Sequence, residues 1–414
     1  MLARAATAAD EAEVHDELAK LGKVVAAPPV DPKLVAVLLP LSGRYAAIGS
    51  ELKLAIQLAP AEGTQWLFLD TRGEPEAAVS AVETAVQKGA VAILGPVGTK
   101  EALSAARAAA LHDVPIGLLA PADGAEPASG VFRLVGSPAD EGRAVARLAQ
   151  ADNFPTVAVF APRDDVGQET ADAFVDEAKK LGISVTARGS YDPTGGNLEP
   201  DVKELLDLVP ARNPRLAGHL AKNPKNGWKT FSPDVPFTLL YVPDRYDRAA
   251  IVAAFLPYFG VELRTGESTN PDYLQRKHGG HMPQLVQLVG GAGWHHPSLT
   301  TRGGAAIQGA LIVDVFGGST GGDLAAGFSA AFQQKTNRMP SGAAAEAHDA
   351  ATLIAQARAA AAKATDPRGA LRSVLARGKL DDGVCGPAAM DEGGEITRAP
   401  AVLEVQGDEL VDAP

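Results

Sequence analysis

The sequence predicts an α/β fold of doubly wound parallel sheets, preceded by a short N-terminal helix. Two observations predict it. Short, wholly apolar runs alternate with amphipathic helical stretches, the pattern of strands whose two faces are both covered by helices. The alternation runs through one series and then begins again, so one chain supplies two sheet-forming series. A chain of 414 residues has room for about two to three domains of ~150 residues.

Residues 5–25 read as one amphipathic helix with Leu18 and Leu21 on its apolar side. AAPPVDP (26–32) ends it, since consecutive prolines cannot continue a helix. The helix reads as the stump of an upstream helical region. From Leu34 the first series begins: VAVLL (35–39), a loop, a helix from Ser50 to Leu58, and WLFLD (66–70). It continues with a helix at 75–88, AVAIL (90–94), a helix at 100–111 and PIGLLA (115–120). The second series is TVAVF (156–160), a helix at 167–181, ISVTARGSY (183–191) and a helix at 198–208. FTLLYV (237–242), a helix at 247–259 and LVQLVG (285–290) complete it. A third block adds ALIVDVF (310–316), helices near 324–335, 344–363 and 367–377, and a final strand AVLEV (401–405). Two polar stretches, 210–236 and 266–283, read as surface excursions with limited helix at most.

Composition narrows the function. With 43 glycines, 30 prolines and only 5% aromatic residues, the chain suits many short connections and cores packed from Ala, Val and Leu. A net charge of −12 without any cluster of Lys and Arg argues against nucleic-acid partners, whose phosphates need clustered cations. The single cysteine, Cys385, excludes an intrachain disulfide and any multi-cysteine zinc site, and reads as a small buried residue. No stretch approaches the ~18–20 apolar residues that span a bilayer. Residues 1–25 lack a signal-peptide pattern, because Asp10, Glu11, Glu13, Asp16 and Glu17 stand where an apolar run is needed. An exported form would have lost its signal.

Enzyme chemistries find little support. The first strand is followed by PLSGRYAAIG, not by the G-x-G-x-x-G of a dinucleotide turn, and no phosphate-cradling G-x-x-x-x-G-K-[ST] occurs. GGSTGG (317–322) reads as a flexible connection. His278, His281, His295 and His296, with Asp272, cluster loosely, but their spacing is not that of a metal site. Ser42 has no G-x-S-x-G context and no assigned base. No catalytic residue, cofactor or metal is assigned.

From Lys33 onward the chain resembles the type I periplasmic binding proteins, above all the branched-chain amino-acid receptors. VAVLLPLSGRYAAIGSELKLAIQLA is similar to that family's first strand, ligand-facing loop and helix. WLFLDTRGEPEAAVSAVETAVQKGAVAILGPVGT, IGLLAPADG and VFRL continue the likeness. YVPDRYDRAAIVAAFLPYFG and LVGGAGWHHP resemble segments of a narrower group, the penicillin-binding-protein activator lipoproteins of the outer membrane. The resemblance implies two α/β lobes joined by three crossovers that close on a ligand. Lobe 1 is expected at 33–136 plus 316–380 and lobe 2 at 137–315 plus 381–414, after a helix and linker at 1–32. It further implies a non-enzymatic protein, periplasmic or anchored to the outer membrane. Its partners are a small polar solute such as an amino acid and an ABC transporter permease, or in the alternative reading a peptidoglycan synthase.

Eight residues are candidates for ligand contact. Ser42, Gly43 and Tyr45 lie in the first strand–helix loop. Thr99 opens a helix whose free N–H groups attract a carboxylate, or it simply caps that helix. Ala122 and Asp123 follow the fourth strand, with Gly124 where the family places a hydroxyl. Val166 stands at the family's second-lobe aromatic, and Ala292 at the acid that meets an α-ammonium. Asp123, Asp164 or Asp244 are the possible substitutes for that acid. Trp294 either stacks on a ligand or packs into the second lobe, packing being the favoured reading. Asp70 reads as a cap or turn residue.

Overall fold

A computed structural model describes residues 29–122, 124–265, 270–277, 280–317 and 321–413. The expected helix at 5–25, Asp123 and His278 lie outside the described residues.

In chain order, β1 (Asp31–Leu39), α1 (Ala46–Leu58), β2 (Gln65–Asp70), α2 (Pro75–Gln87) and β3 (Ala90–Leu94) open the molecule. Then come α3 (Thr99–Leu111), β4 (Ile116–Leu118) and β5 (Val131–Arg133). A second run holds α4 (Pro138–Ala151), β6 (Thr156–Pro162), α5 (Asp165–Lys180) and β7 (Ser184–Tyr191). It continues with α6 (Glu199–Leu205), α7 (Pro214–Lys222), α8 (Gly227–Thr230), β8 (Leu239–Tyr241), α9 (Tyr246–Tyr258) and β9 (Glu262–Leu263). α10 (Pro271–Lys277), β10 (Leu285–Gly290), α11 (Ser298–Gly303) and β11 (Leu311–Asp314) end it. The chain returns through α12 (Gly322–Thr336), α13 (Gly342–Ala361) and α14 (Pro367–Leu375). β12 (Lys379–Leu380), β13 (Ala388–Met390), β14 (Ile396–Arg398), β15 (Ala401–Gln406) and β16 (Glu409–Asp412) follow.

The doubly wound expectation is met by two sheets. The first runs β2-β1-β3-β4-β5, every neighbour parallel. On β1, Val35, Val37 and Leu39 turn to one face, where α1 and α13 pack, while Ala36 and Leu38 turn to the other, against α2 and α3. All five are fully buried, which is why VAVLL reads as a continuous apolar run instead of an alternating one.

The second sheet runs β16-β15-β11-β10-β8-β6-β7, with β9 beside β10. It is parallel from β7 to β11, whereas β15 joins β11 antiparallel and β16 joins β15 antiparallel. On β6 the same division holds: Val157 and Val159 face one layer, Ala158 and Phe160 the other.

Three connections join the lobes, after β5, after β11 and between β14 and β15. The last differs from expectation. The sequence places residues 381–398 in lobe 2, but β12, β13 and β14 form a small antiparallel sheet, and Leu380, Val384, Cys385, Ala388 and Ile396, on its strands and the loop between β12 and β13, are buried in the first lobe's core. The burial of these side chains puts the crossing at 399–400. Two further elements differ: α4 occupies 138–151, where the sequence predicts no element, and β16 follows 401–405, the predicted final strand. The start of α4 is well specified: Ser137 and Asp140 cap one another in a reciprocal box, with Pro138 at the first helical position.

Candidate functional site

A cavity of about 900 Å³ lies where the connections meet the second lobe. The ends of β6, β8 and β10 give it Asp164, Asp244 and Ala292; the hinge gives it Glu141, Asp314 and Glu346. The carboxyl ends of parallel strands are where open α/β sheets hold ligands. The cavity is of ligand size.

Helix α4 is fastened at the cavity by ion pairs. Arg133, 3% exposed, donates to Asp140 at 2.9 Å and to Glu395 at 2.6 Å. Asp140 also receives Arg143 at 2.6 Å. Burial works against the Asp140 carboxylate, but Arg143, Arg133 and Ser137 outweigh it and hold the carboxyl at about 2.

The next residue, Glu141, accepts from the Tyr241 hydroxyl at 2.6 Å and from the Ala292 N–H at 2.9 Å. A Cβ on Gly291 would fall 1.8 Å from the Glu141 carboxylate, so any larger residue there would have to displace it. Burial pushes the Glu141 carboxyl above the ordinary range, and the charge of Asp314 adds to it, against those two hydrogen bonds. Glu346 on α13 behaves similarly. Its carboxylate accepts the Gly136 N–H at 2.7 Å, and burial raises it, Asp314 and Asp349 adding and Arg398 opposing. Asp314 is held by His295 Nδ1 at 2.6 Å and by the Val315 N–H at 2.6 Å. Arg398 pairs with Asp349 at 3.1 Å.

On the second lobe, Asp164 caps α5 through the Gly167 N–H at 2.8 Å. Asp244 accepts from the buried Tyr191 hydroxyl at 2.6 Å. Among the described residues no group of three or more His, Cys, Asp or Glu is placed to hold a metal ion, and no helix is long and apolar enough to cross a membrane.

The candidates read from sequence fall into three sets. Val166 lines the cavity and is 61% exposed; Pro121, beside Ala122, lines it too, whereas Ala122 is itself buried. Ser42, Gly43, Tyr45 and Thr99 are exposed on the first lobe and do not line the cavity. Ser42 is held by Asp70, whose carboxylate accepts its hydroxyl at 2.5 Å and the N–H groups of Leu41, Ser42 and Arg72. Burial acts against that carboxylate, yet these bonds keep it below its usual range, so Asp70 is the turn residue it was read to be. Thr99 does not cap its helix: Gly98 holds the cap position and Thr99 is the first helical residue.

Trp294 forms the third set and contributes no surface for stacking. It is fully buried in the second-lobe core and donates its indole N–H to the Val242 carbonyl at 3.0 Å. A Cβ on Gly290 would fall 2.0 Å from its ring, and Tyr246 stacks on His296 at 3.8 Å. The segments LVGGAGWHHP and YVPDRYD therefore interlock as packing. The residues missed in sequence, Glu141, Asp314, Glu346 and Arg398, lie on the overlooked helix α4, on the crossings, or on the lobe-1 helix α13.

Comparison with solved structures gives the same architecture. A protein of Rhodospirillum rubrum, described as a branched-chain amino acid ABC transporter, superposes with a TM-score of 0.70 at 20% identity, covering 92% of this chain and 99% of that one. The branched-chain amino acid transporter substrate binding protein of Streptococcus pneumoniae, in complex with isoleucine, gives 0.59 at 16%, covering 92% and 97%. A solute binding protein of R. palustris, in complex with 4-hydroxybenzoate, gives 0.61 at 17%, covering 92% and 95%. No curated protein matches the sequence. The periplasmic binding protein family model matches residues 34–210 and 267–409. That match takes in all three connections and, in whole or in part, every strand of the two sheets except β8 and β9, and the chain belongs to the periplasmic binding protein family.

Proposed function

We propose that the protein captures a small polar solute between its lobes and releases it to an ABC transporter permease on the outer side of the cytoplasmic membrane. The observation that carries this is the cavity of about 900 Å³ set at second-lobe strand ends and the hinge. Closure about the three connections carries Ser42, Gly43 and the Thr99 end of α3 toward that cavity. The ligand then stabilises only the closed state, which is how a binding free energy becomes a change of shape. The isoleucine and 4-hydroxybenzoate held by the compared proteins support a small organic solute. Native mass spectrometry of protein purified without refolding should show a bound small molecule. Scattering should show a more compact particle with it than after its removal. One unchanging shape across a broad solute panel, with no co-purified mass, refutes the reading.

A second reading is a regulator that docks on a peptidoglycan synthase, for which the outer face of α9 offers an exposed apolar surface. Ile251 and Tyr258 are 42% and 55% exposed there, beside a groove of about 560 Å³. Capture of the synthase by the wild-type chain, lost in an Ile251→Asp/Tyr258→Asp variant, would select this reading.

A further inference from the structure

The charges around the cavity are lopsided. Every arginine that lines it is already ion-paired: Arg133 with Asp140 and Glu395, Arg143 with Asp140, Arg147 with Glu177, Arg245 with Asp247 and Arg398 with Asp349. The carboxylates are not all matched. Among the described residues, Glu141, Asp164, Asp244 and Glu346 line the cavity with only hydroxyl or backbone N–H donors as partners. Asp314 lies between Glu141 and Glu346 electrostatically, raising the proton affinity of both, with His295 as its side-chain partner.

The hinge end of the cavity also holds a buried, unmatched donor. Arg398 lines the cavity with its side chain 6% exposed, and its Nε–H is buried without an acceptor among the described residues. A buried donor without an acceptor is costly and asks for one. Its neighbour Glu346 takes its hydrogen bond from the Gly136 N–H and feels the charge of Arg398.

We propose that the solute is an organic cation, a small polar molecule carrying an ammonium or guanidinium group and net positive charge, with a hydrogen-bond acceptor beside that group for Arg398. The inference rests on the solute-binding reading of the cleft and names its ligand class. An anionic solute would be desolvated beside Glu141, Asp314 and Glu346 with no free arginine to receive it, whereas a cation regains there what it loses from water. Neither isoleucine nor 4-hydroxybenzoate, the ligands of the compared proteins, carries net positive charge.

Calorimetric titration and thermal shift of the whole chain test this with glucosamine, glycinamide and argininamide, each a net cation with an acceptor beside its ammonium. Isoleucine, 4-hydroxybenzoate and glucose serve as the zwitterionic, anionic and neutral set. At least one cation should bind and raise the melting temperature, and the other set should not. Glu141→Gln and Glu346→Gln should each weaken that binding tenfold or more, while Glu76→Gln, on the exposed start of α2, leaves it unchanged. Should a hinge variant fold poorly, glucosamine against N-acetylglucosamine gives the same charge contrast on the wild-type chain. Binding confined to anionic, zwitterionic or neutral solutes overturns the cation proposal and leaves solute capture standing. Cation binding indifferent to both substitutions overturns it as well. Binding of no cation in the set also overturns it, and solute capture is then decided by the co-purified mass.

Discussion

Trp294 is worth more to this molecule as a packing residue than as a ligand contact. Its ring fills the space left open by Gly290, and its N–H satisfies the Val242 carbonyl. Trp294→Ala should cost ~3–5 kcal/mol, as truncations of buried aromatics do, measured by denaturant unfolding. Trp294→Phe should recover most of the packing and lose one hydrogen bond, a remaining loss of about 0.5–1.5 kcal/mol, because the Val242 carbonyl keeps the Asp244 N–H. Asp140 makes a pH prediction. Its folded value of about 2 lies below the ordinary 3.8, so the unfolded chain takes up the proton first on acidification. The pairing therefore stabilises the fold above about pH 4 and is lost as pH falls toward 2. Asp140→Asn should lower the melting temperature at neutral pH and flatten its decline across that acid window. The single-residue readings succeeded where local rules decide, as at Asp70 and Cys385, the latter fully buried. They failed for Glu141, whose partner Ala292 lies 151 residues away, because no local periodicity encodes so distant a pairing.

Among elements, α4 is the most consequential, because it places Asp140 and Glu141 at the cavity. Ser137→Ala removes its capping box and should cost ~0.5–2 kcal/mol in equilibrium unfolding. The same substitution loosens the helix end that aims Glu141, so solute affinity should fall along with stability. The helix was legible in principle: Ser137, Pro138 and Asp140 form a start signal, and Val145, Ala146 and Ala149 supply the buried face. The strands were easier, since β1, β3 and β6 are buried on both sides and announce themselves as unbroken apolar runs. β12 and β13 were not, because two- and three-residue strands carry no periodicity. They belong to the first lobe only through side chains such as Leu380 and Ile396 that the finished core collects.

At the scale of the whole molecule, each sheet has its own pair of cores, with Leu353 in one of the first lobe's and Trp294 in one of the second's. Separate cores predict separable unfolding. Scanning calorimetry should resolve two overlapping transitions, of which Trp294→Ala lowers one and Leu353→Ala the other. A solute that bridges the lobes should merge them, because closure couples the two. The division into two sheets was legible from the repeated strand–helix series. The positions of the crossings were less so, since they depend on which core a segment joins.

The place of β15 has a consequence for how the protein is made. β11 is the edge of the parallel array, and the strand that covers it comes from residues 401–406. During synthesis the second lobe emerges with that edge bare while the whole returning stretch, from α12 to β14, is still being translated. For that interval the nascent chain offers unpaired backbone groups to any passing strand, and a ribosome stalled ahead of Ala401 should release a product that clumps, not a shorter working receptor.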